Sequence, residues 1–254
     1  MEPSRKVAIY ISGHLRNLKD TIHNYRRVFR SPGIEFDFFF VLWKVNHTTE
    51  STSWKHNNAT QKKLVEIQAV TEADVYAICP EAKKVILLDE HILPPEYDKH
   101  DRSIAYKDYG LYRAFLEVPD TYDLYVRLRT DLYFFEGIDW EYLFHHKSTY
   151  NLFLLQKAHF TKLNYPGSRI FDDSFWISTY AVGKYISEMY LNLPTMKRGK
   201  RTEEYYADYL DREKFSILKY PFDLAIERRT RGFDDNLEET AILTARRKEC
   251  GDFV

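Results

Sequence analysis

Three short, continuous apolar runs constrain this chain more than any other feature. They are Val7 to Ile11, "FDFFFVLW" at 36–43 and "KKVILLD" at 83–89. A strand with one face in water alternates apolar and polar residues, whereas a run apolar on both faces belongs to a parallel strand covered above and below. Between the runs the period changes. Leu18, Ile22, Tyr25 and Phe29 recur at helical spacing over 17–30, and Ser31-Pro32-Gly33 stops that helix. Helical segments are expected at Gln61 to Gln68, at Glu72 to Ile78 and over 104–118, with polar loops at 44–60 and 91–101. The alternation of strand and helix predicts an α/β fold with a largely parallel sheet. Further on, strands are expected at 150–156, at the end of 171–179 and at 215–220. Helices are expected at 182–191, 203–210 and 236–247. Neither an internal repeat nor a Gly/Ser/Pro linker divides the 254 residues, which read as a single domain over 1–254.

Charge narrows the classes of partner. Lys and Arg number 37 against 38 Asp and Glu, a net charge of −1. That balance gives no general attraction to nucleic acid or to an anionic membrane. No segment reaches the roughly 18 apolar residues of a membrane span, and the opening apolar run is too short for a signal peptide. Two cysteines, Cys79 and Cys250, make no disulfide framework. A soluble protein of a reducing, cytoplasmic compartment is the expectation, with the sequons at Asn46 and Asn58 unused. With nine glycines there is no dinucleotide fingerprint and no phosphate-binding loop of the GxxxxGK[ST] type. Nor is there a GxSxG nucleophile elbow.

The chemistry concentrates in "YDLYVRLRTDLYFF", residues 122–135. Tyr122, Leu124, Val126 and Leu128 alternate with Asp123, Tyr125, Arg127 and Arg129, so a continuous strand puts Arg127, Arg129 and Asp131 on the second face. Charges beside a core need partners. Two readings follow. Either the arginines pair internally with Asp123, Glu136 or Asp139, or a charged ligand sits on that face. A carboxylate at a strand end can hold a divalent cation bridging a diphosphate, and arginines can neutralise the same charge.

Three other stretches carry usable chemistry. In "YISGHLRN" (10–17), Ser12 and Gly13 can present backbone N–H groups and Arg16 can bond a phosphate, at the carboxyl end of a first parallel strand. The plainer reading is an ordinary strand-to-helix turn. In "FDDSFWIST", Asp172 and Asp173 supply either a general base or a turn cap. In "RTEEYY", Glu203 and Glu204 serve either a site or merely a helix dipole.

Taken in order, "ISGxxR", "FDFFFVLW", "YDLYVRLRTDLYF" and "DDSFWIST" resemble the small GT-A type glycosyltransferases of bacterial surface-polysaccharide clusters and large DNA viruses, including those of chlorella. The resemblance spans roughly residues 6–230. It implies a Rossmann-like three-layer sandwich with a mostly parallel central sheet, and transfer of a sugar from a nucleotide-diphosphate donor, a UDP-sugar favoured, to a glycan acceptor. It puts Ser12, Gly13, Arg16, Arg127 and Arg129 at the donor, Asp131 on Mn²⁺ or Mg²⁺, and Asp173 or Asp172 as base, with Glu203 or Glu204 in reserve. For a virus, the host cytoplasm would be the place of action. The sequence departs from the family's D-x-D signature, since Arg129 stands where the first acid would be. A non-catalytic nucleotide-sugar or carbohydrate-binding protein on the same scaffold is the alternative.

Overall fold

The computed structural model describes residues 5–16, 18–49, 64–89, 97, 102–155, 175–195, 215–220 and 224–226. In chain order the elements are β1 (Arg5–Gly13), α1 (Leu18–Val28), β2 (Ile34–Trp43), β3 (Val45–Thr49) and β4 (Leu64–Ala69). Next come α2 (Glu72–Ile78), β5 (Lys84–Leu88), α3 (Arg102–Leu116), β6 (Leu124–Leu128), β7 (Leu132–Phe134) and α4 (Trp140–His146). The last are β8 (Leu152–Leu155), β9 (Trp176–Ser178), α5 (Tyr180–Ser187), α6 (Met189–Asn192), β10 (Ile217–Tyr220) and β11 (Leu224–Ile226).

The fold is mixed α/β. Its central sheet has seven strands in the order β10-β8-β9-β6-β1-β2-β5. Pairing is parallel throughout except at β9, which runs antiparallel to both β6 and β8. From β1 the chain moves through β2 to β5 on one side, then returns to place β6 on the other side of β1. The reversal makes the carboxyl ends of β1 and β6 a topological switch point, where open α/β sheets leave a crevice.

Both faces of the sheet are covered. Val7, Ile9, Ile11, Leu124, Val126 and Leu128 pack on one side with buried residues of α1, α2 and α4. Ala8, Tyr10, Tyr125 and Trp176 pack on the other with buried residues of α3, α5 and α6. Burial on two sides explains the continuous apolar runs, since neither face has water to satisfy a polar side chain.

Three expectations need correction. The segment Gln61 to Gln68 is not helical where described. Leu64–Ala69 is a strand, and Val45–Thr49, expected within a loop, is its antiparallel partner in a separate hairpin. A short apolar stretch carries no reliable period, and β-branched residues in both segments favour the pleated pairing. The strand at 122–135 does not persist to Asp131, but ends at Leu128 and resumes as β7, which leaves the main sheet to pair with β11. The second face of β6 is not an open charged surface, because Tyr125 and Arg127 are buried there. The helices expected at 203–210 and 236–247 lie outside the described residues.

Close packing of α5 offers a direct check. A Cβ on Gly183 would come 2.6 Å from the Phe115 ring and 2.9 Å from the Ser178 hydroxyl. Gly183→Ala is therefore expected to destabilise by about 1–3 kcal/mol through overpacking, as read by urea unfolding. An unchanged midpoint would contradict the α3–α5 contact.

Candidate functional site

The site grows from the two strand ends at the switch point. Parallel pairing of Tyr10 with Arg127 and Ile11 with Leu128 brings β1 and β6 out of the sheet side by side. At the end of β1, Ser12 is buried and Gly13 adopts φ +130°, a conformation that only glycine takes readily. The His14 ring donates from Nδ1 to the Val45 carbonyl at 2.9 Å, which ties the loop to β3. Arg16 holds φ +36°, the one non-glycine residue with positive φ among those described. A left-handed arginine is strained and persists where its surroundings enforce it.

Past β6 the chain turns through Arg129, Thr130 and Asp131, and neighbours pin each residue. The Thr130 hydroxyl donates to the His14 carbonyl at 2.6 Å, joining the two loops. Helix α1 then braces the segment with side chains in place of a strand. Thr21 donates to the Thr130 carbonyl at 2.9 Å, and the Tyr25 hydroxyl donates to the Arg129 carbonyl at 2.7 Å while accepting from Leu132 N at 3.1 Å. Asn24 donates to the Phe134 carbonyl and accepts from the Phe134 amide, each at 2.8 Å.

Asp131 stands at the centre, with a side chain 2% exposed. Arg129 approaches it as a fork, Nε to Oδ1 and Nη2 to Oδ2, both at 2.7 Å. Arg16 adds Nη1 to Oδ2 at 3.1 Å. Burial pushes the Asp131 carboxyl upward, but the charge and hydrogen bonds of Arg129, with Arg16 behind it, outweigh burial and hold it below the usual carboxylate range. The guanidinia reach outward to different degrees, with side-chain exposure of 42% for Arg16 and 20% for Arg129.

Arg127 lies apart from this group. It is 2% exposed within the sheet's other face, where its guanidinium lies 5.9 Å from the centre of the Trp176 ring and donates to the Leu128 carbonyl. Of the residues singled out from sequence, Ser12, Gly13, Arg16, Arg129 and Asp131 converge at the strand ends. Asp172, Asp173, Glu203 and Glu204 lie outside the described residues. Asp123 and Asp139, considered as arginine partners, instead accept from Lys147 at 2.6 Å and cap α4.

A cleft of about 730 Å³ opens beside Arg16, between the start of α1 and the β4–α2 segment, lined by Leu15, Lys19, Val70, Asp74 and Ile78 among others. Sequence reasoning missed Lys19 and the bracing trio Thr21, Asn24 and Tyr25. The trio had a signal, since these polar groups share the helical stripe of Leu18, Ile22 and Val28. Among the described residues, no three His, Cys, Asp or Glu side chains gather as cation ligands. Asp131 is bonded to arginines on both oxygens, and the described residues alone do not assemble a Mn²⁺ or Mg²⁺ site.

The ion-paired state of Asp131 sets an acid limit to stability. A carboxyl whose folded pKa is depressed contributes stability that is fully present above its unfolded pKa, about 3.9, and is lost as the pH falls through the folded value. Urea unfolding followed over pH should show stability falling below about pH 3.9, and Asp131→Asn should remove that share of the slope. An identical slope in the variant would contradict the ion pair.

No protein-family description matches the chain, and no curated protein matches it. Among solved structures it is similar to the galactosyltransferase LgtC in complex with donor and acceptor sugar analogs. The TM-score is 0.47 and the identity 10%, over 84% of this chain and 72% of that one. An active-site mutant of LgtC gives a TM-score of 0.48 at 10% identity, with the same two coverages.

Proposed function

We propose that this chain is a glycosyltransferase that moves a sugar from a nucleotide-diphosphate donor to a hydroxyl of a glycan acceptor. The observation that carries the reading is the convergence of Arg16 and Arg129 on buried Asp131 at the β1–β6 switch point, beside a cleft of about 730 Å³. The uridine diphosphate form of the donor is favoured by the sequence resemblance. The two cysteines are consistent with action in a reducing, cytoplasmic compartment.

The residue types suit the bond changes. As the bond between the sugar's anomeric carbon and the diphosphate oxygen breaks, the electron pair leaves with the diphosphate and negative charge grows there. Guanidinia fixed in advance stabilise that charge without reorganising during the step. The acceptor oxygen bonds to the anomeric carbon, and its proton passes to a carboxylate, for which Asp173 or its neighbour Asp172 is the candidate. Arg129, held by two bonds to Asp131, supplies the fixed direction, and Arg16 supplies the exposed reach.

The test is release of UDP from a panel of UDP-sugars, with and without simple glycoside acceptors. Wild-type chain should release UDP faster when its acceptor is present. Arg129→Gln and Arg16→Gln should each lower the rate by about 10²–10³-fold, as for loss of one fixed charge-stabilising donor. Asp173→Asn should do the same if it is the base. No UDP release from any donor, together with no nucleotide binding, would overturn the reading.

A further inference from the structure

We infer that the outer side of α4 carries a second, non-catalytic site, a strip of aromatic rings that binds a neutral glycan chain. The inference rests on the glycosyltransferase reading for the kind of ligand at hand, and on the geometry of the strip for the rest.

Four rings make the strip. Tyr142 and His146 lie one turn apart on α4 with ring centres 4.3 Å apart, since side chains at i and i+4 are neighbours on a helix surface. Tyr150, four residues further on, brings its ring to 6.1 Å from His146. From β10, Tyr220 reaches to 5.5 Å from Tyr142. Tyr142 is 38% exposed, one of the few large apolar side chains left so among the described residues, and the other three are half-buried. Single exposed apolar residues are ordinary on a surface, but here the exposed ring continues into three others. Tyr150 and Tyr220 are also packed on the core beneath. Rings held in this way have little freedom left to lose on binding.

Chemistry and charge select the ligand. Tyrosine and histidine each combine an apolar body with a polar tip. A pyranose ring presents the matching pair, an apolar C–H face and a rim of hydroxyls. The ions beside the strip are already matched. Arg5 donates to both oxygens of Glu141, at 2.8 and 2.7 Å, and Lys147 donates to Asp123 at 2.6 Å. A strongly charged chain therefore gains nothing there over a neutral one. The same pairs locate the strip. Arg5 begins β1 and Asp123 precedes β6, so α4 borders the amino edge of the sheet, at the opposite end of those strands from Arg16, Arg129 and Asp131. The nine residues of β1 span roughly 30 Å. A glycan held on α4 is thus tethered at a distance from the strand-end site, and tethering raises the local concentration of its free end.

The experiment is calorimetric titration of the full chain, without nucleotide, with cellohexaose, maltohexaose and mannohexaose, and with a heparin hexasaccharide as the charged control. At least one neutral chain should bind, and more tightly than heparin. Tyr142→Ala should weaken that binding about tenfold or more, the loss expected for one stacking ring. Tyr142→Phe keeps the ring and should stay within about threefold of wild type. The position is exposed, so neither variant should shift the melting temperature. Amide resonances of residues 141–150 should move as the glycan is added to wild type, a readout that needs no variant. Failure of all three neutral chains to bind, heparin binding more tightly than each of them, or binding indifferent to Tyr142→Ala overturns the inference. None of these results touches the glycosyltransferase reading, which release of UDP decides.

Discussion

A carboxylate withdrawn almost entirely from water is costly unless its charge is met at close range, and the penalty for an unpaired ion is several kcal/mol. Asp131 is in that position, and most of what surrounds it can be understood as the means of meeting its charge. Arg129 and Arg16 come from loops more than a hundred residues apart in sequence, 115 between Arg16 and Asp131. They meet only because β1 and β6 are neighbours in register. The parallel pairing of these strands is therefore the precondition for the site. The sheet's order, which sends β2 to one side of β1 and β6 to the other, opens the space in which the pair can face a ligand.

Helix α1 does two jobs with one face. Leu18, Ile22 and Val28 enter the core, while Thr21, Asn24 and Tyr25, also buried, hydrogen-bond to the backbone of the segment leaving β6. That segment has left the main sheet's ladder, and buried backbone groups without partners are costly. Side chains of α1 supply partners, so the segment is rigid although it is neither helix nor main-sheet strand. A fixed Arg129 depends on this bracing, because its own carbonyl is one of the groups that Tyr25 holds. Core packing and site geometry thus share a helix, and substitutions on the polar stripe of α1 would disturb both.

The layered sheet could be read from the sequence because burial on both faces leaves an unmistakable apolar run at β1, β2 and β5. Helices α1 and α3 were legible from their period. The hairpin of β3 and β4 was not, since its strands are short, one polar and one mostly apolar, and depend on each other. The end of β6 was misplaced for a different reason. Alternation in "LYVRLRTD" continues past Leu128, but pattern carries no information on where α1 captures the backbone. Arg16, Arg129 and Asp131 could be picked out as charges needing partners, whereas their mutual pairing could not, because it depends on strand order. Arg127 shares the alternation of Arg129 yet faces Trp176 within the core, a distinction visible only once both faces of β6 are known to be covered.

The most direct test of the two-arginine site is a crystal structure of the chain with UDP. The account predicts phosphate oxygens within about 3 Å of guanidinium nitrogens of both Arg16 and Arg129, with Asp131 still bonded to Arg129 and the uridine in the adjoining cleft. A diphosphate bound elsewhere on the chain, or arginines turned away from it, would contradict the account.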